Sequence, residues 1–358
     1  MRVSRVCAAF VIGVSGVAHA ASDLVDVIAF GSCAREERDQ TQVWDEIIAH
    51  DPDLFLFIGD NVYVDIWVEN GERVMRPVET EERFHIEYDL LAQQPGWQRI
   101  NEQAKVMATW DDHDFGANDM GRDYPMKRFA QQKFADFYGF PDSHPIRERN
   151  GIYHAETFGP EGRRVQVIML DTRFFRDPLS RNPEGRPRGK GPYVPHDDER
   201  NTMLGGAQWN WLEQQLRQPA DVRIIGSSVQ VIASEHGWEG WGNFPHERQR
   251  LFDMIDRTNA SGVVFISGDR HLMEISREGE ATPYPMWDFT ASGMTEEGER
   301  AVNEVNSRRV GPVRRLTNYG IIRIDWDPED PQVSLEGYGL DGELLTRQSV
   351  WLSELTED

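Results

Sequence analysis

Residues 51–65 read DPDLFLFIGDNVYVD. Asp53 to Ile58 is a short apolar run that reads as a buried strand, and it stops at Gly59-Asp60. The same event recurs along the chain. Val25 to Phe30 leads into Gly31-Ser32-Cys33, and Lys105 to Trp110 into Asp111-Asp112-His113-Asp114. Arg164 to Leu170 leads into Asp171-Thr172-Arg173, and Val222 to Ile225 into Gly226-Ser227-Ser228. Val263 to Ile266 is followed by Gly268-Asp269-Arg270-His271. Between these strands lie helical patterns. Val43 with Ile47 and Trp44 with Ile48 place a helix over Thr41 to His50, and Met126, Phe129, Ala130, Lys133, Phe134 and Phe137 share one helical face. Gln208 to Leu216 and the segment around Leu251 and Ile255 read as two more. Strands alternating with helices predict an α/β architecture, and ligands of such sheets bind outside the carboxyl ends of the strands. Beyond Pro285 the pattern turns all-β: Met286 to Thr290, Gly320 to Asp325, Gln332 to Gly337 and Glu343 to Val350, with an Asp341-Gly342 hairpin signal. These strands are expected to complete a second sheet.

The composition limits what can bind there. The 358 residues carry 61 acidic side chains against 38 Lys plus Arg, a net charge of −23. Such an excess argues against a general nucleic-acid or anionic-membrane binder, which needs a basic patch. An anionic substrate must instead be held by metal ions or a local arginine cluster. Residues 1–20 read as a secretory leader, with Arg2 and Arg5 before the apolar run Val6 to Val17 and a small-residue cleavage site at Ala18-His19-Ala20. The run is shorter than the about 20 residues that span a bilayer. No arginine pair precedes it, so the general secretory route is expected, with a periplasmic or secreted chain over 21–358 and no transmembrane anchor once the leader is removed. Losing Arg2 and Arg5 takes the charge to −25. Cys7 leaves with the leader, so Cys33 has no intrachain disulfide partner.

The polar residues at the strand ends form one chemical set: Cys33; Asp60, Asn61, Tyr63 and Asp65; Asp112, His113 and Asp114; Asn118; Asp269 and His271. Thiolate, phenolate, imidazole and carboxylate together suit a transition metal, and the additional oxygens suit a harder cation such as calcium. So many carboxylates in one place repel one another unless cations neutralise them. Within the set, Asp65 reads as a solvated loop acid, while Asp111 and Asp114 read as groups that orient backbone or neighbouring ligands. His236 and His246, in SEHGWEGWGNFPHER, are not expected to be ligands. The Pro/Gly/Arg-rich stretch 176–204 reads equally as a lid over the site or as a solvated loop.

In these motifs the chain resembles the alkaline phosphatase D (PhoD-like) family of the calcineurin-like metallophosphoesterase superfamily. The likeness rests on Gly31-Ser32-Cys33, Gly59-Asp60-Asn61-Val62-Tyr63, Trp110-Asp111-Asp112-His113-Asp114 and Leu170-Asp171-Thr172-Arg173. Ile225-Gly226-Ser227-Ser228-Val229-Gln230, Phe244-Pro245-His246-Glu247-Arg248 and Ser267-Gly268-Asp269-Arg270-His271 continue it in the same order. The resemblance implies a four-layer α/β/β/α sandwich with two mixed sheets. It implies a ferric ion with calcium ions, other divalent metals being an alternative. Carried over by position, it makes Cys33, Asp60, Tyr63, Asp112, Asn118, Asp269 and His271 the metal ligands, with Asp60 bridging. It makes His113 the catalytic acid. Arg173 reads either as a structural salt bridge or, as its place after a strand-end Asp favours, as a clamp on the phosphoryl group. Asn61 is expected to contact substrate, and Arg270, between two ligands, either adds a phosphate contact or points away. Arg270 stands where the family pattern has a small apolar residue, and Ala34 where it has an amide.

The function implied is hydrolysis of small phosphate mono- and diesters by metal-activated water. No serine nucleophile is called for, since Ser227-Ser228 lacks a G-x-S-x-G elbow. The alternatives are a phospholipase-like or phosphotriester hydrolase on the same scaffold, or an exported metal- or phosphate-binding protein without catalysis.

Overall fold

A computed structural model describes residues 24–298 and 304–357. The leader expected over residues 1–20 lies outside the described residues. Along the chain run β1 (Val27–Gly31), α1 (Thr41–Ala49), β2 (Leu54–Ile58), the hairpin β3 (Ile66–Glu69) and β4 (Glu72–Met75), α2 (Glu81–Gln93), α3 (Pro95–Gln103) and β5 (Lys105–Thr109). Next come α4 (Asp112–Phe115), α5 (Lys127–Phe137), β6 (His154–Phe158), β7 (Val165–Met169), β8 (Ser180–Arg181), β9 (Tyr193–Val194), α6 (Gly205–Leu216) and β10 (Val222–Ser227). The rest is α7 (Pro245–Arg257), β11 (Val263–Ser267), β12 (Met273–Glu278), β13 (Met286–Ala291), β14 (Arg309–Arg314), β15 (Asn318–Asp325), β16 (Gln332–Gly339) and β17 (Leu344–Trp351).

Two large mixed sheets form the centre. One has the order β17-β16-β15-β1-β2-β5, the other β14-β12-β13-β11-β10-β7-β6. Strand alternation sorts the side chains between layers. Ile28, Phe30, Leu54, Leu56 and Ile58 point inward and join the core shared with the second sheet. Ala29, Phe55 and Phe57 point outward to α1, whose Val43, Trp44 and Ile47 are buried against them. Trp209 and Leu212 of α6 and Leu251, Phe252 and Ile255 of α7 pack into the core of the second sheet, where the Phe252 and Phe265 rings lie 6.4 Å apart. Phe30 meets Phe289 edge-on across the sheets at 5.0 Å, an aromatic contact worth about 1 kcal/mol beyond burial. The result is the expected four-layer sandwich with helices outside two sheets.

The C-terminal strands depart from expectation. Of the strands expected there, only β13 joins the second sheet, parallel to β11, while the unexpected β14 pairs antiparallel with β12 at that sheet's edge. β15 instead pairs antiparallel with β1 (Phe30 opposite Gly320), and β16 and β17 follow it outward, so the tail widens the first sheet. Local pattern identifies a strand but carries no information on which open edge will accept its backbone groups. No helix among the described residues is long and apolar enough to cross a membrane.

Candidate metal centre

Parallel pairing aligns the strand ends that carry the polar motifs. In the first sheet Gly31 lies opposite Phe57 and Ile58 opposite Thr109, so Cys33, Asp60 and Asp112 emerge on one edge. In the second, Ser227 lies opposite Ser267, which brings Ser228 beside Asp269. The two edges meet through very close backbone packing. A Cβ at Gly268 would sit 2.5 Å from the Ile58 carbonyl oxygen and 2.8 Å from Ser32 Oγ, so only glycine fits. Backbone bonds from Cys33 N to Gly59 O (3.3 Å), Ala34 N to Asp60 O (3.1 Å) and Thr295 N to Cys33 O (3.1 Å) lock the turns. Cys33, Asp60, Asp269 and His271 all hold left-handed backbone, with φ of 59°, 51°, 69° and 52°. Each such residue costs of order 1–3 kcal/mol and persists where its surroundings over-determine it.

Ligand atoms of Cys33, Asp60 and His271 lie within 4.8 Å of one another, and so do those of Asp60, Asp112 and His113; Asp60 belongs to both groups. The Tyr63 ring packs with Cys33 and lies tilted by 30° against His113, centroids 4.3 Å apart, and its hydroxyl is buried with no hydrogen-bond partner among the described residues. Asp112 Oδ1 and Asp111 Oδ2 are likewise buried and unpartnered. A buried polar atom without a partner is costly, and several converging ones fit a cation. The electrostatics agree. Burial pushes the Cys33 thiol, the Tyr63 phenol, Asp60 and Asp269 well above their usual ranges, with neighbouring acids adding to the effect. Burial, then His113, lowers His271 to about 3. Bound cations reverse that logic by stabilising the deprotonated ligands.

The same edge holds two further groups of ligand atoms within 4.8 Å, Asp111 with Glu239 and Asp269, and Asp112 with Asp119 and Glu239. Glu239 and Asp119 escaped the sequence reading. Neither follows an apolar strand: Glu239 lies in a tryptophan-rich loop, and Asp119 lies beyond α4. The signal that could have found Glu239 is its place between Trp238 and Trp241 in the tryptophan-rich segment that also carries His236 and His246. Asp119, His113 and five of the expected ligands (Asp60, Asp112, Asn118, Asp269 and His271) line a cleft of about 690 Å³, whose wall also includes Arg73, Met75, Trp238, Arg270, Glu296 and Glu304; Cys33, Tyr63 and Glu239 are buried behind that lining. Asn118 is exposed on its wall, its backbone N–H held by Asp65 Oδ2 at 2.9 Å.

Four expectations change. Asp65 is not solvated: it is buried and takes a hydrogen bond from His113 Nδ1 at 2.7 Å. Burial by itself lowers the His113 pKa, but Asp112, Asp60 and Asp65 together outweigh it and hold the imidazole protonated well above its usual value. Arg173 is no clamp on a phosphoryl group. Its guanidinium is fully buried, with Nε 2.8 Å from Asp111 Oδ1 and its two other nitrogens 2.8 and 2.6 Å from the Glu239 carboxylate. Met120 O and a further bond to Asp111 account for the remaining N–H groups, so none is left for substrate. Asn61, expected to touch substrate, is wholly buried, and its amide donates to Thr109 O at 2.8 Å. Arg270 does line the cleft, but Glu304 holds its Nη2 at 2.6 Å.

The remaining motifs take supporting places. Asp114 accepts from the Asp111 and Asn61 backbone N–H groups, as an orienting residue should. His236 accepts from Trp238 N and His246 bonds Asn201 O, so neither joins a ligand group. Segment 176–204 is ordered against the site, with Gly191 N bonded to His236 O (2.8 Å), Tyr193 N to Gly237 O (2.9 Å) and the Tyr193 hydroxyl to Asp119. Its stretch 191–193 forms a rim of the site, while residues 183–190 are exposed to solvent.

The sequence model of a family described as PhoD-like phosphatase matches residues 28–333. Alkaline phosphatase D of Bacillus subtilis (strain 168) is 25% identical over 282 residues. That alignment takes in 68% of this chain and 45% of the relative, so the chain spans less than half the relative's length. Among solved structures, one described as the structure of PhoD superposes with a TM-score of 0.69 at 16% identity, over 91% of this chain and 72% of that one. GAP50, the anchor in the inner membrane complex of Plasmodium, superposes with a TM-score of 0.55 at 12% identity, over 92% and 90%. At these identities the structural likeness is one of fold.

Proposed function

The chain belongs to the PhoD-like phosphatase family, and from that premise we propose that it is an exported phosphoesterase acting on small phosphate mono- and diesters. The observation that carries this reading is the double membership of Asp60, one carboxylate shared by two ligand groups at the floor of an open cleft with His113 beside it. A binding protein without catalysis has no need of an acid placed there. We assign a ferric ion to Cys33, Asp60, Tyr63 and His271, because thiolate and phenolate suit that metal. Calcium is assigned to the oxygen-rich part of the site, with Asp112, Asn118 and Asp269. When bound, such ions neutralise phosphoryl charge and lower the pKa of water to make a nucleophile near neutral pH.

The chain's own groups supply the rest. Asp65 holds His113 Nδ1, which leaves Nε2 to deliver a proton to the departing alcohol oxygen. Tyr63 packs against the imidazole at 4.3 Å and limits the positions its ring can take. Arg173 keeps Asp111 and Glu239 together below the cleft and so positions its floor. The leader over 1–20 would deliver residues 21–358 to the periplasm or the medium.

The test is release of nitrophenol from p-nitrophenyl phosphate and bis-p-nitrophenyl phosphate by protein loaded with iron and calcium, before and after chelation. Chelator-sensitive turnover of either ester is expected, with a visible absorption band from the thiolate- and phenolate-held iron. Loaded protein that turns over neither ester returns the reading to metal or phosphate binding alone. His113→Ala and Asp65→Asn separate the acid from the ligands. Loss of an outer partner of this kind costs about 10- to 100-fold, so Asp65→Asn should lower kcat by that much with metal content unchanged. The double variant should be no slower than His113→Ala, because both act on one proton transfer. Additive losses would separate Asp65 from that proton transfer, and loss of metal from His113→Ala would make His113 a ligand instead.

A further inference from the structure

The hairpin β3–β4 contributes Arg73 and Met75 to the cleft wall, and its pairing register fixes which residues share a face. Ile66 lies opposite Met75 and Val68 opposite Arg73, so these four share one face, while Trp67 and Val74 take the other. The base of the first face is at the metal centre, where Ile66 packs with Cys33 and Tyr63. Farther out, Arg73 and Met75 line the cleft. The opposite face is anchored. Trp67 lies under the Arg76 and Arg83 guanidinium groups at 4.4 and 4.9 Å, and Arg83 donates to Val64 O and Ile66 O.

Around this site arginines are committed to carboxylates: Arg35 to Glu296, Arg76 to Glu69, Arg83 to Glu87, Arg173 to Asp111 and Glu239, Arg270 to Glu304. Arg73 differs. Among the described residues its side chain has neither an ion pair nor a hydrogen bond, although seven carboxylates line the same cleft. A solvated arginine on a cleft wall is ordinary surface. One that shares a strand face with an exposed Met75, on a hairpin anchored through its opposite face, and lines the same cleft as Asp60, Asp112 and His271 is placed to read the rest of the substrate.

We propose that Arg73, with Met75 beside it, forms a subsite for the part of the substrate beyond the reacting phosphoryl group, and that it selects phosphate esters whose alcohol portion bears a second anionic group on an apolar body. This deepens the phosphoesterase reading and rests on it only for the identity of the group held at the cleft floor. Guanidinium recognises carboxylate or phosphate through paired donors, whereas an ammonium offers a point charge.

The experiment compares binding of phenylphosphonate and 4-carboxyphenylphosphonate to the metal-loaded protein by titration calorimetry, which needs no turnover. Wild type should bind the carboxylated compound about tenfold more tightly. Arg73→Ala should abolish that preference while leaving phenylphosphonate affinity within about twofold, and Arg73→Lys should keep only part of it. Equal affinity of wild type for both compounds, a preference that survives Arg73→Ala, or binding of neither compound overturns the subsite. Hydrolysis of p-nitrophenyl phosphate, run in parallel, separates the two readings. Selective binding without turnover leaves the subsite standing and sinks the hydrolase; turnover without selectivity does the reverse.

Discussion

Replacing Asp60 with Asn is expected to remove metal and activity together, lowering kcat/KM by at least about 10³-fold, or roughly 4 kcal/mol of transition-state stabilisation. The substitution keeps size and shape and alters only the carboxylate common to the two ligand groups. An amide there supplies one neutral oxygen and turns an N–H₂ towards a second cation. The thermal behaviour should invert. Burial raises the Asp60 pKa well above its usual range, with nearby acids adding to it and His113 opposing. An acid whose folded pKa is raised destabilises the fold once pH exceeds its unfolded value near 4, and it does so fully above the folded value. At pH 8 the metal-free variant should therefore melt higher than metal-free wild type, and iron with calcium should stabilise wild type alone. Metal analysis, turnover and paired melting curves check this. Full metal content with turnover within tenfold of wild type would remove Asp60 from the centre.

The second large effect is on stability. Arg173→Ala should cost about 3–5 kcal/mol in urea unfolding of the metal-free protein, the usual penalty for deleting one partner of a buried ion pair. Asp111 and Glu239 would then face each other, both almost wholly inaccessible, with only Arg176 still 2.7 Å from Glu239. Already with Arg173 present, burial brings Asp111 to about 6. Arg173→Lys retains the charge but cannot serve two carboxylates with five fixed donors, so it should fall between the two. A phosphate clamp predicts the opposite pattern, a raised KM with an unchanged unfolding midpoint. That outcome would return Arg173 to the substrate.

Much of the fold was legible because strand and helix periods are local. The helices over 41–49, 127–137 and 205–216 follow from apolar side chains three and four apart. α2 was missed although Phe84, Tyr88 and Leu91 mark one buried face, because charged residues crowd the rest of its surface. β6, β12 and β14 were missed for a related reason. Polar and charged residues such as Glu156, Glu274 and Arg309 occupy them, and the second sheet buries or pairs several of these.

The sequence by itself determined the alternation of strands and helices and the run of polar residues after each strand. Those features depend on spacing along one chain, and spacing alone brings Cys33, Asp60, Asp112, Asp269 and His271 to the edges where parallel strands end. Only the tertiary structure decided how two sheets abut, through the absent Cβ of Gly268, and which charges are thereby buried together. Whether Asp65 meets water or His113, and whether Arg173 meets substrate or Glu239, depends on segments 48 and 66 residues apart. The energy of a charge is set by its surroundings rather than by its neighbours in sequence, so those roles became visible only when the chain closed on itself.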